Sequence, residues 1–339
     1  MYYIKNERNG EEIYDPSWNL AAEYYLLEQL KLDEPILFFY INGPSIIVGK
    51  NQNTRAEVNR EYCEEHGIKI VRRKSGGGAV YHDYGNICFC FITEDDGNSF
   101  RRFKKFTDPV IEALHKMGVD GAELQGRNDL MINGKKFSGN AMYSKNGRMT
   151  AHGTLMFDVD LDVTTKALRP KKEKLASKGI KSVRKRVTNI KPYLPEENQD
   201  MTIHEFRSTL IKNIFDVKSV EEAKQYVLSD EDWEGIKKYH DEFTGNDDWN
   251  FGKNPDYQLI KEARTPAGQV EFQFDISNEK ISDLKIYGDF FGLGEISDVE
   301  QALIGLPYTE EALLEAFKNM DVNHYFGATT AEELAHIIK

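Results

Sequence analysis

Cysteine is scarce in this sequence of 339 residues, which contains only Cys63, Cys88 and Cys90. Three cysteines cannot build the disulfide framework of a small secreted domain, and no Cys/His set has the spacing of a zinc site. Cys88 and Cys90 lie in an apolar run that predicts a buried strand, where a thiol is usually an inert core side chain. We therefore expect a protein of a reducing compartment without structural disulfides.

The sequence also lacks long apolar runs and an excess of positive charge. No apolar stretch approaches the roughly 20 residues that span a bilayer, and the N-terminal residues show no signal-peptide pattern. The formal net charge of −12 disfavours a general nucleic-acid binder, because such proteins neutralise phosphates with excess cations. We expect a cytoplasmic monomer that binds neither membrane nor nucleic acid, in which any anionic ligand meets a local basic site.

Apolar residues make up 40% of the chain and aromatic residues 12%, which is ample for a sizeable core. Apolar periodicity predicts helices at 18–31, 54–66, 99–117, 202–215 and 219–239, and strands at Ile36–Ile41, Ser45–Val48, 68–72, 86–92, 129–132, 136–143 and 148–158. Asn42-Gly43 predicts a hairpin between the first two of these strands, and Asn-Gly pairs at 133–134 and 146–147 predict an antiparallel meander.

The polar, turn-rich stretch 240–253 predicts a domain boundary. We divide the chain into a catalytic domain, 1–245, and a small accessory domain, 246–339. Strands at 256–264, 268–276 and 281–288, and helices at 297–304, 309–319 and 330–338, are predicted in the second domain. The predicted fold class is α+β, with mixed, largely antiparallel sheets packed against helices.

A glycine-rich segment, Arg72-Arg-Lys-Ser-Gly-Gly-Gly-Ala-Val-Tyr-His-Asp83, combines three consecutive glycines with three cations. Glycines let backbone amides approach a ligand closely, and with Arg72, Arg73 and Lys74 beside them they indicate an anion site of the nest type. The segment is neither a P-loop nor a Gly-x-Gly-x-x-Gly motif. A flexible loop with a solvated basic edge is the alternative.

Two later segments place polar side chains on predicted strands. Lys136 and Ser138 alternate along one strand, so we expect them on the same face, where a lysine beside small residues suits a phosphate or carboxylate. A hairpin with exposed lysines explains the spacing equally well. His152 begins an apolar strand and is placed to line a pocket, although a lone histidine is more often structural.

The region 171–191 holds nine Lys or Arg residues and one Glu in an acidic protein. Such charge runs usually form a solvated face. The functional alternative is a loop that covers a nucleotide or faces an acidic partner.

Taken in order, these segments resemble the lipoate–protein ligase family in its long form, which has an accessory C-terminal domain. The resemblance rests on Arg72-Arg-x-Ser-Gly-Gly-Gly-Ala-Val-Tyr-His-Asp83, Gly126-Arg-Asn-Asp-Leu130, Lys136-x-Ser-Gly139, His152-Gly-Thr-Leu155, Lys178-Gly-Ile-x-Ser-Val-Arg184 and Arg186-Val-Thr-Asn189. Trp249-Asn-Phe-Gly252 resembles the start of the accessory domain, so the resemblance covers nearly the whole chain. One departure is Ala151, where the family often has a second histidine.

The resemblance implies a catalytic domain like that of biotin and lipoate ligases, and an ATP-dependent ligase. Such an enzyme forms lipoyl-AMP, releases pyrophosphate and transfers the lipoyl group to a lysine of an acceptor. The implied acceptors are the lipoyl domains of 2-oxoacid dehydrogenase complexes and the glycine-cleavage H protein. ATP with Mg²⁺ and lipoate are the implied small molecules.

Matched position by position, the resemblance implies three sets of site residues. The ATP and adenylate residues are Arg73, Gly78, Ala79, Val80, Tyr81, Asn128, Asp129, Lys136, Lys178 and Val183. The lipoate residues are Arg73, Ser75, Gly76, Gly77, Gly78, His82, Lys136, Ser138, His152 and Gly153. Asp129 is the implied Mg²⁺ ligand, and Lys136 is the central catalytic lysine that contacts both the carboxylate and the α-phosphate.

The chemistry explains why a lysine is needed. Joining a carboxylate to the α-phosphorus of ATP brings two anions together, and a fixed ammonium relieves that repulsion. Three alternatives remain open. A cysteine-dependent octanoyl or lipoyl transferase of the same fold would need a reactive thiol, a biotin–protein ligase would carry a different loop, and a non-catalytic lipoate-binding module would not need Lys136.

Overall fold

The computed structural model describes residues 1–169, 186–252 and 255–339. The strands of the N-terminal region are β1 (Tyr2–Ile4), β2 (Glu7–Arg8), β3 (Glu11–Glu12), β4 (Ile36–Ile41), β5 (Ser45–Val48), β6 (Lys69–Arg72), β7 (Val80–His82), β8 (Asn86–Glu94), β9 (Ala122–Gln125), β10 (Asp129–Ile132), β11 (Lys135–Lys145), β12 (Arg148–Met156) and β13 (Gln225–Tyr226). Its helices are α1 (Pro16–Glu28), α2 (Thr54–Glu57), α3 (Arg60–Glu65), α4 (Phe103–Lys116), α5 (Leu161–Ala167), α6 (Ile203–Phe215), α7 (Asp230–Tyr239) and α8 (Asp247–Phe251).

An eight-stranded sheet with the order β13-β1-β4-β8-β12-β11-β10-β9 forms the centre of this region. The pairs β13–β1 and β1–β4 are parallel, and the remaining pairs are antiparallel. Every residue of β4 is buried, because its side chains alternate between two cores, with Phe39 on one face and Phe38 on the other. A strand covered on both faces has a continuous apolar sequence. The mixed sheets packed against helices confirm the predicted α+β class.

A second sheet, β6-β5-β7, carries the glycine-rich loop between β6 and β7. The bounds predicted for β4 and β5 are confirmed, but the predicted hairpin between them is wrong, because the two strands belong to different sheets. Neither Asn42 nor Gly43 has the positive φ that a two-residue hairpin turn requires. The Asn42 side chain is instead buried, and it accepts a hydrogen bond from Asn19 Nδ2 at 2.8 Å.

The other two Asn-Gly pairs form the predicted turns. Asn133 and Gly134 have φ of +50° and +73°, and Asn146 and Gly147 have φ of +52° and +76°. These turns connect β10 to β11 and β11 to β12 as antiparallel neighbours, so the predicted meander is confirmed.

Two helical predictions need correction. The segment 54–66 is split into α2 and α3 because the Asn59 side chain caps a new helix. The segment 219–239 is α-helical only from Asp230, where Ser229 forms a capping box; its earlier part contains a 3-10 turn, Val220–Glu222, and supplies β13 to the sheet. The polar stretch in which we placed the domain boundary contains a π-helical turn, His240–Thr244, and α8.

The accessory region contains β14 (Leu259–Thr265), β15 (Gly268–Ser277) and β16 (Lys280–Gly288) in one antiparallel sheet, and α9 (Ile296–Leu303), α10 (Glu310–Lys318), α11 (Val322–Phe326) and α12 (Ala331–Ile338). The three strands and three of these helices match the prediction, and the short α11 was not predicted. A core of its own, which includes Phe272 and Phe317, holds the region together. The division at 245/246 stays a prediction.

Within residues 1–169, 186–252 and 255–339, no helix combines the length and the apolar character needed to cross a bilayer.

Candidate active site

A cavity of about 500 Å³ lies where the glycine-rich loop, strands β10–β12 and the accessory region meet. Twelve of the predicted site residues line it: Arg73, Gly77, Gly78, Ala79, Val80, Tyr81, His82, Asn128, Asp129, Lys136, His152 and Gly153. Segments that are far apart in the sequence therefore converge on one space.

The floor of the cavity runs across the large sheet. Tyr40 on β4 pairs with Cys88 on β8, and Cys88 pairs with Thr154 on β12. Gly139 on β11 donates its amide to Thr154 Oγ1 at 3.1 Å and pairs with Asp129 on β10. All five residues line the cavity, so it crosses four inter-strand steps, or about 19 Å. Leu20, Ile47 and Val80, which pack in one hydrophobic cluster, form an apolar part of its lining, and Asp129 and Lys136 belong to the polar part.

Lys136 lies at the polar end. Its Nζ is 2.7 Å from Asp129 Oδ1, and a Cβ placed on Gly139 would be only 3.0 Å from Nζ. The missing side chain at Gly139 thus makes room for the ammonium. The Lys136 backbone is also held, because its amide donates to Arg186 O and Thr188 donates to Lys136 O, both at 2.8 Å.

Three predicted site residues do not line the cavity: Ser75, Gly76 and Ser138. The expectation that Lys136 and Ser138 share a face is wrong, because the register between β10 and β11 shifts between them and breaks the alternation. Ser138 is fully buried, and its hydroxyl accepts from Asn140 Nδ2 at 3.2 Å. Lys178 and Val183 lie outside the described residues.

The cations of the glycine-rich segment are bound by the protein itself. Arg73 donates to the carbonyls of Ile47, Gly76 and Gly78 at 2.8 to 3.0 Å. Burial lowers the pKa of Arg73 to about 10, so it stays charged at neutral pH. It lines the cavity while it also holds the loop in shape.

Arg72 and Lys74 point away from the cavity. Arg72 Nη1 donates to the carbonyls of Gly49, Lys50 and Gln52 at 2.7 to 3.0 Å. Lys74 Nζ pairs with Glu28 at 3.0 Å and lies 4.0 to 5.0 Å from the ring centroids of Tyr24, Tyr239 and Phe243. The prediction that both cations supply charge to an anion site is therefore not met by the structure.

A buried polar network supports the middle of the cavity. Glu23 is 1% exposed and accepts from Tyr40 Oη at 2.9 Å and from His152 Nδ1 at 2.7 Å. His152 Nε2 lies 2.7 Å from the hydroxyl oxygen of Ser75. Burial lowers the pKa of His82 to about 3, so His82 is neutral at neutral pH.

Cys88 borders the cavity, contrary to the expectation that it is only a core residue. Burial, with the nearby Glu23 carboxylate, raises the pKa of the Cys88 and Cys90 thiols, and burial raises the pKa of Cys63 to about 11. Thiolates, the reactive form of cysteine, are therefore disfavoured at all three positions.

The accessory region closes one side of the cavity with Arg264, Asp289 and Phe291. A Cβ on Gly76 would come within 2.3 Å of Phe290 O, and one on Gly77, whose φ is +92°, within 2.9 Å of the Phe291 ring. These two glycines therefore provide the surface on which the accessory region rests.

Sequence reasoning missed most of the charge around the cavity. Among the described residues, the cations that line it are Arg73, Arg127, Lys136, Arg169, Arg186 and Arg264, against the three carboxylates of Glu57, Asp129 and Asp289. The described lining is therefore basic in a chain of net charge −12. Of the cations that were not predicted, Arg127 and Arg186 lie in the quoted motifs Gly126-Arg-Asn-Asp and Arg186-Val-Thr-Asn.

Comparison with known proteins agrees with this geometry. The family model described as the lipoyl protein ligase A/B catalytic domain matches residues 15–215, and the bacterial lipoate protein ligase C-terminus matches residues 254–338. A lipoate–protein ligase of Bacillus subtilis, LplJ, is 47% identical over 338 residues, which cover the whole of both chains.

Two solved structures are also similar. LipL1 of P. falciparum in complex with lipoate has a TM-score of 0.76 and 27% identity, and the match covers 95% of this chain and 94% of that one. A bipartite lipoate protein ligase of Thermoplasma acidophilum, described with its E2 lipoyl domain, has a TM-score of 0.63 and 25% identity over 76% of this chain and 98% of that one. The chain belongs to the lipoate–protein ligase family.

Proposed function

We propose that this lipoate–protein ligase activates lipoate with ATP and transfers the lipoyl group within one cavity, with Lys136 as the central catalytic residue. The observation that carries the proposal is the position of the Lys136 ammonium over Gly139, in a cavity whose lining also has an apolar part made of Leu20, Ile47 and Val80. An acyl chain lies along the apolar part, and its carboxylate then meets Lys136. The lipoate-bound relative supports this choice of substrate.

In the first half-reaction, the lipoate carboxylate attacks the α-phosphorus of ATP and pyrophosphate leaves. Lys136 lies where it can contact both anions, and it stabilises the charge that grows on the phosphoryl oxygens. Asp129 holds Nζ at 2.7 Å before the substrates arrive, so the ammonium is already in place. Asn128 adds an amide side chain beside Asp129 on the cavity wall.

The residues present fit a magnesium ion bound mainly through phosphates. No group of three or more His, Cys, Asp or Glu side chains able to hold a metal occurs in the described part of the chain, yet Mg²⁺ at nucleotide sites commonly uses only one or two carboxylates. The Asp129 carboxylate lines the cavity and is the residue that would hold the ion. Bound there, Mg²⁺ would supply neutralisation of the phosphate charge.

The mixed anhydride must be kept from water until the acceptor arrives. The glycine-rich loop covers the cavity on one side, and Phe291 covers it from the accessory region, in contact distance of Gly77. In the second half-reaction, the acceptor lysine attacks the acyl carbon and AMP leaves. We propose lipoyl domains of 2-oxoacid dehydrogenase complexes and the glycine-cleavage H protein as acceptors, since the Thermoplasma relative is described with an E2 lipoyl domain.

Lipoate-dependent exchange of pyrophosphate into ATP tests this function. A ligase exchanges label only when lipoate is present, because the adenylate must form reversibly. The same preparation is then given ATP, lipoate and a panel of acceptors, and lipoylation is measured by mass spectrometry. Absence of lipoate-dependent exchange in a folded, pure protein contradicts the proposal.

A cysteine-dependent transferase is the second candidate, because Cys88 borders the cavity. The raised pKa of its thiol argues against a thiolate nucleophile. A Cys63→Ala/Cys88→Ala/Cys90→Ala variant that folds should retain lipoate-dependent exchange within a few-fold. A lipoyl thioester trapped on Cys88 in the wild-type protein would instead support the transferase.

A further inference from the structure

We propose that Arg264, a residue of the accessory sheet, binds the departing pyrophosphate during adenylation, together with Arg127. This assignment rests on the proposed function and extends it, since it gives the accessory region a direct part in the first half-reaction. It also identifies where the β- and γ-phosphates of the nucleotide lie.

The first observation is placement. Arg264 is an exposed residue near the end of β14, one position before Thr265. It lines the same cavity as Lys136 and Asp129, although the three residues come from opposite sides of the predicted domain boundary. Its side chain therefore borders the space in which the reacting phosphates must lie.

The second observation is that the turn next to Arg264 is fixed by the catalytic region. Arg127 Nη1 donates to the carbonyl of Ala267 at 2.9 Å, three residues after Arg264. The guanidinium carbon of Arg127 is 4.5 Å from the centroid of the Phe291 ring. Arg101 Nη2 adds a hydrogen bond to Phe291 O at 3.1 Å. The position of Arg264 over the cavity is thus determined by specific contacts.

The third observation is charge. The Arg127 guanidinium interacts with the carboxylates of Asp289 and Asp129 and is opposed by the like charge of Arg264, while burial lowers its pKa. Asp129 in turn pairs with Lys136. The charges of Asp129 and Arg264 therefore both act on the Arg127 guanidinium. Two neighbouring guanidiniums repel each other until an anion lies between them, and phosphate oxygens match their planar geometry.

The chemical step requires such an anion site. A lipoate carboxylate oxygen forms a bond to the α-phosphorus, and the bond from that phosphorus to the oxygen bridging the β-phosphate breaks. The bridging oxygen keeps the electron pair, so negative charge builds on pyrophosphate, and no proton needs to be transferred. Arg127 and Arg264 stabilise this leaving group, whereas Lys136 acts on the α-phosphate.

The test compares Arg264→Ala with two other variants. Arg264→Lys keeps the charge but not the planar fork. Lys280→Ala removes an exposed cation from the same accessory sheet, at a position that does not line the cavity. Adenylation is measured without acceptor, as kcat/KM for ATP in lipoyl-AMP formation. Transfer is measured separately, from chemically synthesised lipoyl-AMP to an acceptor domain, and calorimetry measures binding of inorganic pyrophosphate.

We expect Arg264→Ala to lower kcat/KM for ATP by about 10- to 100-fold, the value of one charge-assisted hydrogen bond, and to weaken pyrophosphate binding. Arg264→Lys should restore part of the loss, Lys280→Ala should match the wild-type protein, and transfer from synthetic lipoyl-AMP should be unchanged. Normal adenylation and pyrophosphate binding in Arg264→Ala would overturn the assignment. A defect confined to transfer would overturn it in favour of acceptor binding. A wild-type protein without lipoate-dependent exchange would contradict the proposed function itself.

Discussion

Two groups of cations lie in and beside the substrate cavity, and their side chains interact with different kinds of groups. Arg72, Arg73 and Lys74 are adjacent in the sequence and are 6 to 8% exposed. Their charges are directed to backbone carbonyls, to a carboxylate and to aromatic rings. Arg127 and Arg264 come from separate elements and face the cavity. In this protein, cations that are adjacent in the sequence are held by groups of the protein itself. The other cations that face the cavity come from segments that are distant in the sequence.

The comparison predicts that the two groups respond differently to mutation. Removal of Arg72 or Lys74 should lower the free energy of unfolding more than it lowers the rate of the chemical step. Removal of Arg264 should lower activity and leave stability nearly unchanged, because exposed charges contribute little to folding.

The largest effect is expected at Lys136. Lys136→Ala should reduce lipoyl-AMP formation by about 10²- to 10³-fold or more, as expected when a group that stabilises transition-state charge is removed. The thermal midpoint should stay close to that of the wild-type protein. Lys135→Ala is the matched control, because Lys135 is adjacent and exposed and does not line the cavity. Equal activity of the two variants would remove Lys136 from its central role.

Arg72→Met should produce the largest loss of stability. The carbonyls of Gly49, Lys50 and Gln52 would lose a shared donor inside the protein, at a cost of about 2–4 kcal/mol in the free energy of unfolding. Chemical denaturation measures the change, and Arg55→Met, an exposed residue of α2, should stay within about 0.5 kcal/mol of the wild-type value. If the Arg72→Met protein were stable but impaired in adenylation, Arg72 would act in the chemistry, which would contradict its assignment to the structural group.

A smaller loss is expected for Lys74→Met, because the aromatic rings can still pack around the thioether. The half-buried Glu28 carboxylate would lose its ion-pair partner and keep only the 3.3 Å hydrogen bond from Tyr239 Oη, so we expect about 1–2 kcal/mol of destabilisation. In the double variant Lys74→Met/Glu28→Gln the loss should be less than the sum of the single losses, since the two residues are coupled. Additive losses would show that the ion pair contributes nothing.

The smallest effect on activity is expected for Gly76→Ala. This variant leaves all cations in place, so it separates the effect of docking the accessory region from the effect of charge. The new Cβ would collide with Phe290 O, so the accessory region should no longer dock fully and adenylation should fall a few-fold. Small-angle scattering should show a larger radius of gyration than in Gly121→Ala, where the nearest neighbour of a Cβ is 3.4 Å away. Identical scattering profiles would show that Gly76 tolerates a methyl group in the docked state.

Local sequence signals predicted the bounds of the strands well, but they predicted less well which strands pair with each other. Apolar runs located β4 and β5 to the residue, because a strand covered on both faces has a distinct composition. Their pairing was missed because a buried Asn42 side chain, and not a turn, determines where the chain goes after Ile41. The local sequence separates the two pairs only by Pro44, which follows Gly43 and has no N–H to donate, whereas Asn133 has the positive φ of the predicted turn.

The same contrast between local and long-range information applies to the residues of the site. Motif positions such as Lys136, Asp129 and His152 were predicted, and the structure brings them to one cavity. Arg169 and Arg264 were not assigned to it, since their contribution depends on tertiary contacts such as Arg169 N with Glu57 O and Arg127 with Ala267 O, and Arg186 was quoted only as part of a motif. The prediction that Cys88 and Cys90 are buried, unreactive thiols in a strand is confirmed, but alternation along β8 cannot show that the cavity floor passes over Cys88.

The backbone hydrogen bonds of Lys136 with Arg186 and Thr188 affect what a cut in the polypeptide chain would do. Arg169 donates its amide to Glu57 O, and Lys136 is bonded to Arg186 and Thr188, so both ends of the interval 170–185 are fastened at the rim of the cavity. The second fragment would also contribute Ile190, Phe206 and Leu210 to the main core, and β13 to the sheet. A protein cut within this interval should therefore stay together as a noncovalent two-fragment enzyme. Arg169 and Arg186, the described residues at the two ends of the interval, both line the cavity, so a reporter group attached at either position would follow substrate binding.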